Sequence, residues 1–425
     1  MRVYREPPTD LLNTRWPNAS ADVELLDVVN PILESVKAEG DSALIRFTER
    51  FDGVSLTTGE LMVGVDEVEE AYSMVTEEQV AALKESKRRL ETVESERLKG
   101  LTFIVELDGV NVRSTVKPLG SVGCYVPGGK AAYPSSLVMN VVPAKVEGVR
   151  RVVVCTPPGK DKSINPLTLV AADICGVDRV YRLGGAQAVA AMAYGSETVP
   201  RVDKIVGPGN KYVTAAKAAV SDAVAVDKPA GPSEVLVLAD DAADPRLIAL
   251  DMISQAEHGP GGLVGLVTTS PRLAEEAKRL LSESAAKAPR RSVVEAVLSE
   301  GGFIYIVDSL EEAVEFADAL APEHLEVMTA DPQLVAEKVS SAGLIQVGPY
   351  TPVASTDYCM GANHVLPTGG YAKIKPGITV MDYLKPVTVV ESTIEGLRNV
   401  RSHIKALSDA EGLPSHGLAV EGRFS

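Results

Sequence analysis

Apolar residues recur every three or four positions from Asp22 to Arg50, with Val23, Leu26, Val29, Ile32 and Val36 on one stripe, which predicts helix. Thr76 to Lys99 is a second helix on the same grounds, and its Glu, Lys and Arg residues form a solvated outer face. Residues 1–22 carry Pro7-Pro8 and Trp16-Pro17 and show no period, so an arm is expected there. After Thr102 the pattern changes to short β-branched runs alternating with helices. The expected strands are Val152 to Cys155, Arg179 to Leu183, Lys204 to Val206 and Glu234 to Ala239. A second set is Leu263 to Thr268, Phe303 to Val307, Leu325 to Thr329 and Leu344 to Val347. Helices are expected after Pro134, Ser163 and Gly185 and from Asp244 to Glu257. Ser309 with Glu312 reads as a capping box, and Asp331-Pro332 opens a helix that stops at Gly343.

Alternation of strand and helix implies α/β architecture with parallel sheets, two of them for a chain of 425 residues. The expected division places an arm at 1–22, one α/β domain at 23–122 with 235–378, a second at 123–234, and a helix-rich tail at 379–425. A tail of that size must dock on the body or on another subunit. The net charge of −16 opposes binding to nucleic acid and to acidic membranes. Cys124, Cys155, Cys175 and Cys359 form no Cys-x-x-Cys pair, so neither a disulfide framework nor a thiolate zinc site is expected. The N-terminus lacks a signal-peptide pattern and no apolar run approaches the ~20 residues of a membrane span, so a cytoplasmic protein is expected.

The five histidines narrow the search for chemistry. Gln255 and His258, three apart near a helix end, present an oxygen and a nitrogen on one face, a pairing suited to a divalent metal. Two ligands are not a site, and a helix-terminal His favoured by the dipole is the plainer account. Glu323-His324 follows Pro322 at a turn before a strand, where both could reach one pocket as bases; an exposed pair on a loop is an equal reading. The irregular stretch from Thr356 to Gly370 packs Asp357, Asn363 and His364 between glycines, and a long segment of this kind usually has a task. Glycine-rich turns at Tyr125–Gly129, Leu183–Gln187 and Gly207–Asn210 could cradle a nucleotide, although none matches G-x-G-x-x-G.

Taken together, YVPGGKAAYPSS, IVGPGNKYV, AGPSEVLV, SQAEHGP, PEHLE and GANHVLPT, in this order, resemble the histidinol dehydrogenase family from about Lys117 to the C-terminus. The resemblance implies two incomplete Rossmann-like domains and a zinc-dependent, NAD-linked oxidation of L-histidinol to L-histidine through the aldehyde. Gln255, His258, Asp357 and His416 match the ligands of one Zn2+ per subunit. His324 matches the base for the hydroxyl proton and Glu323 the base that activates water. Ser135, Ser233, His364 and Glu411 match substrate contacts, and Tyr125, Gln187 and Asn210 match cofactor contacts. The resemblance also implies a homodimer in which the tail completes the partner's site.

Two details depart from the family pattern. Thr356 stands where glycine is common, and Cys359 lies two residues beyond the expected ligand Asp357. Two other readings stand beside the main one. A same-fold dehydrogenase of another polyol, such as a sulfonated diol, would keep both bases. A metal-binding or assembly protein would need the ligands but not Glu323 and His324.

Overall fold

The computed structural model describes residues 1–15, 23–128, 132–227 and 231–424, so Trp16-Pro17 of the expected arm lies outside the described residues. A six-stranded parallel sheet is built from β1 (Arg2–Tyr4), β9 (Glu234–Ala239), β10 (Leu263–Thr268), β11 (Gly302–Ile306), β12 (His324–Met328) and β13 (Leu344–Val347), in the order β1-β11-β10-β9-β12-β13. A five-stranded parallel sheet has the order β6-β5-β4-β7-β8, from β4 (Ser121–Tyr125), β5 (Arg151–Thr156), β6 (Arg179–Arg182), β7 (Lys204–Val206) and β8 (Ala225–Val226). Two α/β layers with parallel sheets are therefore present, as the alternation implied. A third sheet was not foreseen: β2 (Phe103–Leu107), β3 (Val110–Pro118) and β14 (Leu384–Ser392) pair antiparallel in the order β14-β3-β2.

Both parallel sheets are covered on two faces, which is why their strands read as apolar runs. Val153 and Cys155 join the core on one side of the five-stranded sheet, Val152 and Val154 the core on the other. In the six-stranded sheet Val235, Val237 and Ala239 alternate in the same way with Leu236 and Leu238.

The N-terminal helices pack differently from the expected division, which grouped 23–122 with 235–378. Val29, Ile32, Val36, Leu44 and Phe47, on helices Val23–Glu39 and Asp41–Asp52, bury against Tyr125, Val153 and Tyr181 of the five-stranded sheet. Leu83 and Leu90 of helix Glu77–Lys99 cover its opposite face. Periodicity showed which face of each helix is apolar but not which sheet receives it. The helical pattern from Asp22 to Arg50 divides into two helices at Gly40, whose φ of 56° is left-handed and whose added Cβ would strike Glu197.

The arm is structured where described: β1 extends the six-stranded sheet beside β11. The helix opened by Pro332 ends at Ala336, well short of Gly343. The expected box at Ser309 is half formed: Ser309 Oγ accepts from Glu312 N at 3.2 Å, while the Glu312 carboxylate bonds Asp308 N and Tyr305 instead. The tail begins with a short helical turn, Val380–Tyr383, and β14, and helices Ile394–Ala410 and Pro414–Glu421 then pack on each other. Cys124, Cys155 and Cys175 are buried and unpaired. Among the described residues no helix is long and apolar enough to cross a membrane.

Candidate active site

The glycine turns follow β4, β6 and β7, at the carboxyl ends of the five-stranded sheet, while Glu323 and His324 stand at the amino end of β12 in the other sheet. Three contacts join these regions. Asn363 Nδ2 donates to Met139 O at 2.7 Å, Gly231 N donates to Thr368 Oγ1 at 2.5 Å, and Ser136 Oγ lies 3.1 Å from His364 Nε2.

His324 is the first residue of β12, level with Val235 and Leu344 of the flanking strands. It shares a face with Glu326, opposite to Leu325 and Val327, as a strand's two-residue period requires. Burial lowers the pKa of the His324 imidazole to about 3, helped by His364 and His258, so the ring is neutral at pH 7. Its Nε2, 3.8 Å from Asp357 Oδ1, therefore makes no ion pair. On the other edge Nδ1 is 2.8 Å from Gln346 Nε2, which is also 3.1 Å from Thr356 Oγ1. With the amide turned this way the ring proton sits on Nε2. A half-turn of the amide would present Gln346 Oε1, which has no partner here, to an Nδ1–H and leave Nε2 ready to accept a proton.

Asp357 rides on helix Val353–Tyr358, which packs against helix Pro245–Ala256 carrying the buried Gln255. Burial raises the Asp357 carboxyl pKa to about 7, and its Oδ1 is buried without a hydrogen-bond partner. His364 Nδ1 donates to Asp357 O at 2.6 Å, and burial lowers the His364 pKa to about 4. His258 is lowered in the same direction, chiefly by desolvation. His258, His324, His364 and Asp357 thus lie close together. Beneath them Asp251 and Glu326 form a buried carboxyl pair, with Asp251 raised to about 6 and Glu326 raised further, both mainly by burial.

Among the described residues no three His, Cys, Asp or Glu side chains converge as a metal cluster. Of the four expected ligands only His258 and Asp357 are of these types on the body of the chain, with Gln255 beside them. Glu411 caps helix Ile394–Ala410 and His416 lies on helix Pro414–Glu421, both solvent-exposed; the two helices pack on each other, the first also on β14, and Thr393 and Asn399 bond the turn at Asp108-Gly109.

The expected cofactor residues sit on the glycine turns. Tyr125 Oη accepts from Gly185 N at 3.2 Å, and burial raises its pKa to about 12. Gln187 is buried at the start of helix Gly185–Tyr194, and neither its Oε1 nor its Nε2 has a partner. Asn210 caps helix Lys211–Ala219 by accepting from Tyr212 N and Val213 N. Gly207 has φ 110°, and a Cβ there would lie 2.1 Å from Tyr125 O. Ser135 is half-buried at the start of helix Pro134–Glu147, and Ser233 is half-buried directly before β9.

The family model for histidinol dehydrogenase matches residues 16–424. A histidinol dehydrogenase of Methanosarcina barkeri is 43% identical over 402 residues, covering 94% of this chain and 92% of its own. That of Methanopyrus kandleri is 44% identical over the full length of both chains. The chain belongs to the histidinol dehydrogenase family. The crystal structure of histidinol dehydrogenase from Elizabethkingia anophelis superposes with a TM-score of 0.94 at 35% identity, covering 100% of this chain and 98% of that one. The fold and the enzyme class, an oxidoreductase, follow from these matches.

Within this histidinol dehydrogenase family member, several residues around the pocket carried no signal in the sequence. Gln346 and Glu326 sit in apolar strands, where an isolated polar residue is the only hint. Ser136, beside the expected Ser135, is the serine that meets His364. Thr356 is accommodated: its hydroxyl donates to Val353 O at 2.8 Å and accepts from Gln346, joining the chain of contacts to His324. Cys359 follows helix Val353–Tyr358 as its cap and is half-buried.

Proposed function

We propose that this enzyme oxidises L-histidinol to L-histidine in two NAD-linked steps on a zinc-anchored substrate, the last steps of histidine biosynthesis. The observation that carries the reading is the neutral, buried His324 facing the partnerless Oδ1 of Asp357, with Glu323 next to it in the chain.

The residues fit a divalent cation. An unsatisfied buried carboxylate oxygen, a neutral imidazole at His258 and the Gln255 oxygen form a mixed O,N set suited to zinc. His416 of the partner subunit would be the fourth ligand, with Glu411 of the partner subunit reaching the substrate. Exposed Leu407, Leu413 and Leu418 on the tail, with Phe103 and Ile104 on β2, offer apolar surface for a second copy to cover. When bound, zinc would anchor the substrate's amine and imidazole nitrogens, and NAD, held at Tyr125, Gln187 and Asn210, would supply the hydride acceptor for each step.

The side chains divide the proton chemistry. With Gln346 Oε1 turned toward an Nδ1–H, His324 takes the hydroxyl proton on Nε2 as the carbinol carbon gives up its hydride. Glu323 then takes a proton from water as its oxygen attacks the aldehyde carbon, and the resulting diol loses the second hydride. The balance is one alcohol, one water and two NAD to one carboxylate, two NADH and three protons. His364, fixed by Ser136 and Asp357 O, lines the substrate side of the pocket. With L-histidinol and excess NAD, about two NADH per histidinol and histidine as product are expected. One NADH with accumulating aldehyde would overturn the role of Glu323, and no NADH from a zinc-loaded dimer would overturn the substrate.

A further inference from the structure

The geometry points to Arg15, on the N-terminal arm, as a positioning residue for Glu323. The inference rests on the reading of Glu323 as the water-activating base. Arg15 is 6% exposed and grips Glu234, itself 5% exposed, through two bonds: Nη1 to Oε1 at 2.5 Å and Nη2 to Oε2 at 2.7 Å. Its Nε donates to Leu320 O at 3.0 Å, and Nη2 also reaches Ala321 O at 3.4 Å. Leu320 ends helix Leu310–Leu320, so the guanidinium caps the negative end of that helix dipole. Ala321 has φ 47°, a left-handed conformation uncommon for alanine, and only Pro322 separates it from Glu323. Arg15 therefore holds the strained turn from which Glu323 projects.

Glu234 carries the effect onward. Glu323 Oε2 accepts from Glu234 N at 2.9 Å, and Glu323 N donates back to Glu234 Oε2 at 3.3 Å. Glu234 Oε1 also accepts from Gly369 N at 3.0 Å, tying in the loop that holds His364. Arg15 neutralises the buried Glu234 carboxylate, whose residue contacts Glu323 through both its backbone N–H and its Oε2. His324 depends on other partners, being held in the strand ladder and by Gln346. Loss of Arg15 should therefore displace Glu323 while leaving His324 in place.

The test separates the two half-reactions. Reduction of L-histidinaldehyde by NADH reports the alcohol step, and oxidation of L-histidinaldehyde by NAD reports the water-dependent step. In Arg15→Met, kcat for aldehyde oxidation should fall about 10- to 100-fold, with aldehyde reduction changed less than about threefold. Arg15→Lys keeps the charge but not the two-pronged geometry and should fall between, and it carries the comparison if Arg15→Met does not fold. Equal losses in both directions, or no loss in either, would overturn the inference. Glu323→Gln is measured alongside. If it does not suppress oxidation more than reduction, the reading of Glu323 fails and the inference with it. If it does while the Arg15 variants are unselective, the inference alone fails.

Discussion

Lys217 and Asp227 form an ion pair with 4% and 2% of their side chains exposed, directly beneath the turn that leads to Asn210. The Lys217 ammonium also donates to Gly207 O at 2.9 Å, while Asp227 Oδ2 accepts from Gly207 N at 2.8 Å. Both peptide groups of a left-handed glycine are thus fixed by one buried pair. Lys217→Met retains most of the stem volume but leaves the Asp227 carboxylate buried without its cation. Breaking a buried pair from one side costs about 3–5 kcal/mol, since the remaining charge stays desolvated. The double variant Lys217→Met/Asp227→Asn removes that charge and should recover to within about 1–2 kcal/mol of the wild type. Urea unfolding followed by circular dichroism gives the order of midpoints: wild type, double variant, then single variant. Both variants lose the donor to Gly207 O, so the KM for NAD should rise in each while kcat changes less. A double variant no more stable than the single one would refute the electrostatic reasoning, and an unchanged KM would refute the placement of the cofactor at this turn.

Three further outcomes are expected. Burial raises Asp52 from 3.8 to about 6, so between these values the folded chain holds more protons than the unfolded one and stability falls as pH rises through the window. Asp52→Asn should therefore stabilise the protein at pH 8 by about 1–2 kcal/mol, the full shift being discounted for partial exposure, and leave it unchanged near pH 3, as thermal melts at both pH values would show. Gln346→Leu removes the polar partner of His324 Nδ1 and should lower the rate of the alcohol step about 10- to 100-fold, whereas Gln346→Glu, which offers an Nδ1–H the acceptor that the half-turned amide would present, should retain more; equal losses would refute the orienting role. Mixing Glu323→Gln with His416→Ala subunits should restore about a quarter of wild-type activity, because half of the randomly formed dimers would contain one intact site; no recovery after subunit exchange would refute a shared site.

Sequence patterns located β5, β6, β7, β9, β10, β11, β12 and β13 and the long helices, because burial on one or two faces leaves a strong signal, but missed β4, which is central in the five-stranded sheet and buried throughout. The strands of the antiparallel sheet escaped for lack of such a signal. All five residues of β2 are exposed, and β14 has no buried position, so neither shows a contrast between faces. Arg15 was hidden differently: an isolated arginine among prolines and polar residues gives no sign of a buried partner 219 positions away. His258, His324, His364 and Asp357 were legible because histidine is scarce and its neighbours form distinctive segments. Their wiring through Gln346 and Thr356 was not, since it depends on how strands pair rather than on spacing.

On the proposed roles, the position of β12 bears on how adjacent residues would serve two successive steps. Within a strand, neighbours point to opposite faces, so Glu323 and His324 could not both reach one pocket if both were in the ladder. The ladder begins at His324, which pairs with Val235 and Leu344. Glu323 lies in the preceding turn, with its Oε2 bonded to Glu234 N. Its direction is set by that turn and not by the pleat. Extending β12 by one residue at its amino end would align Glu323 with the sheet and send it away from His324. The left-handed Ala321 and the Pro322 that follows work against such an extension. On the proposed roles, the strain at Ala321 keeps the strand one residue short, so that Glu323 is not committed by the pleat to the face opposite His324.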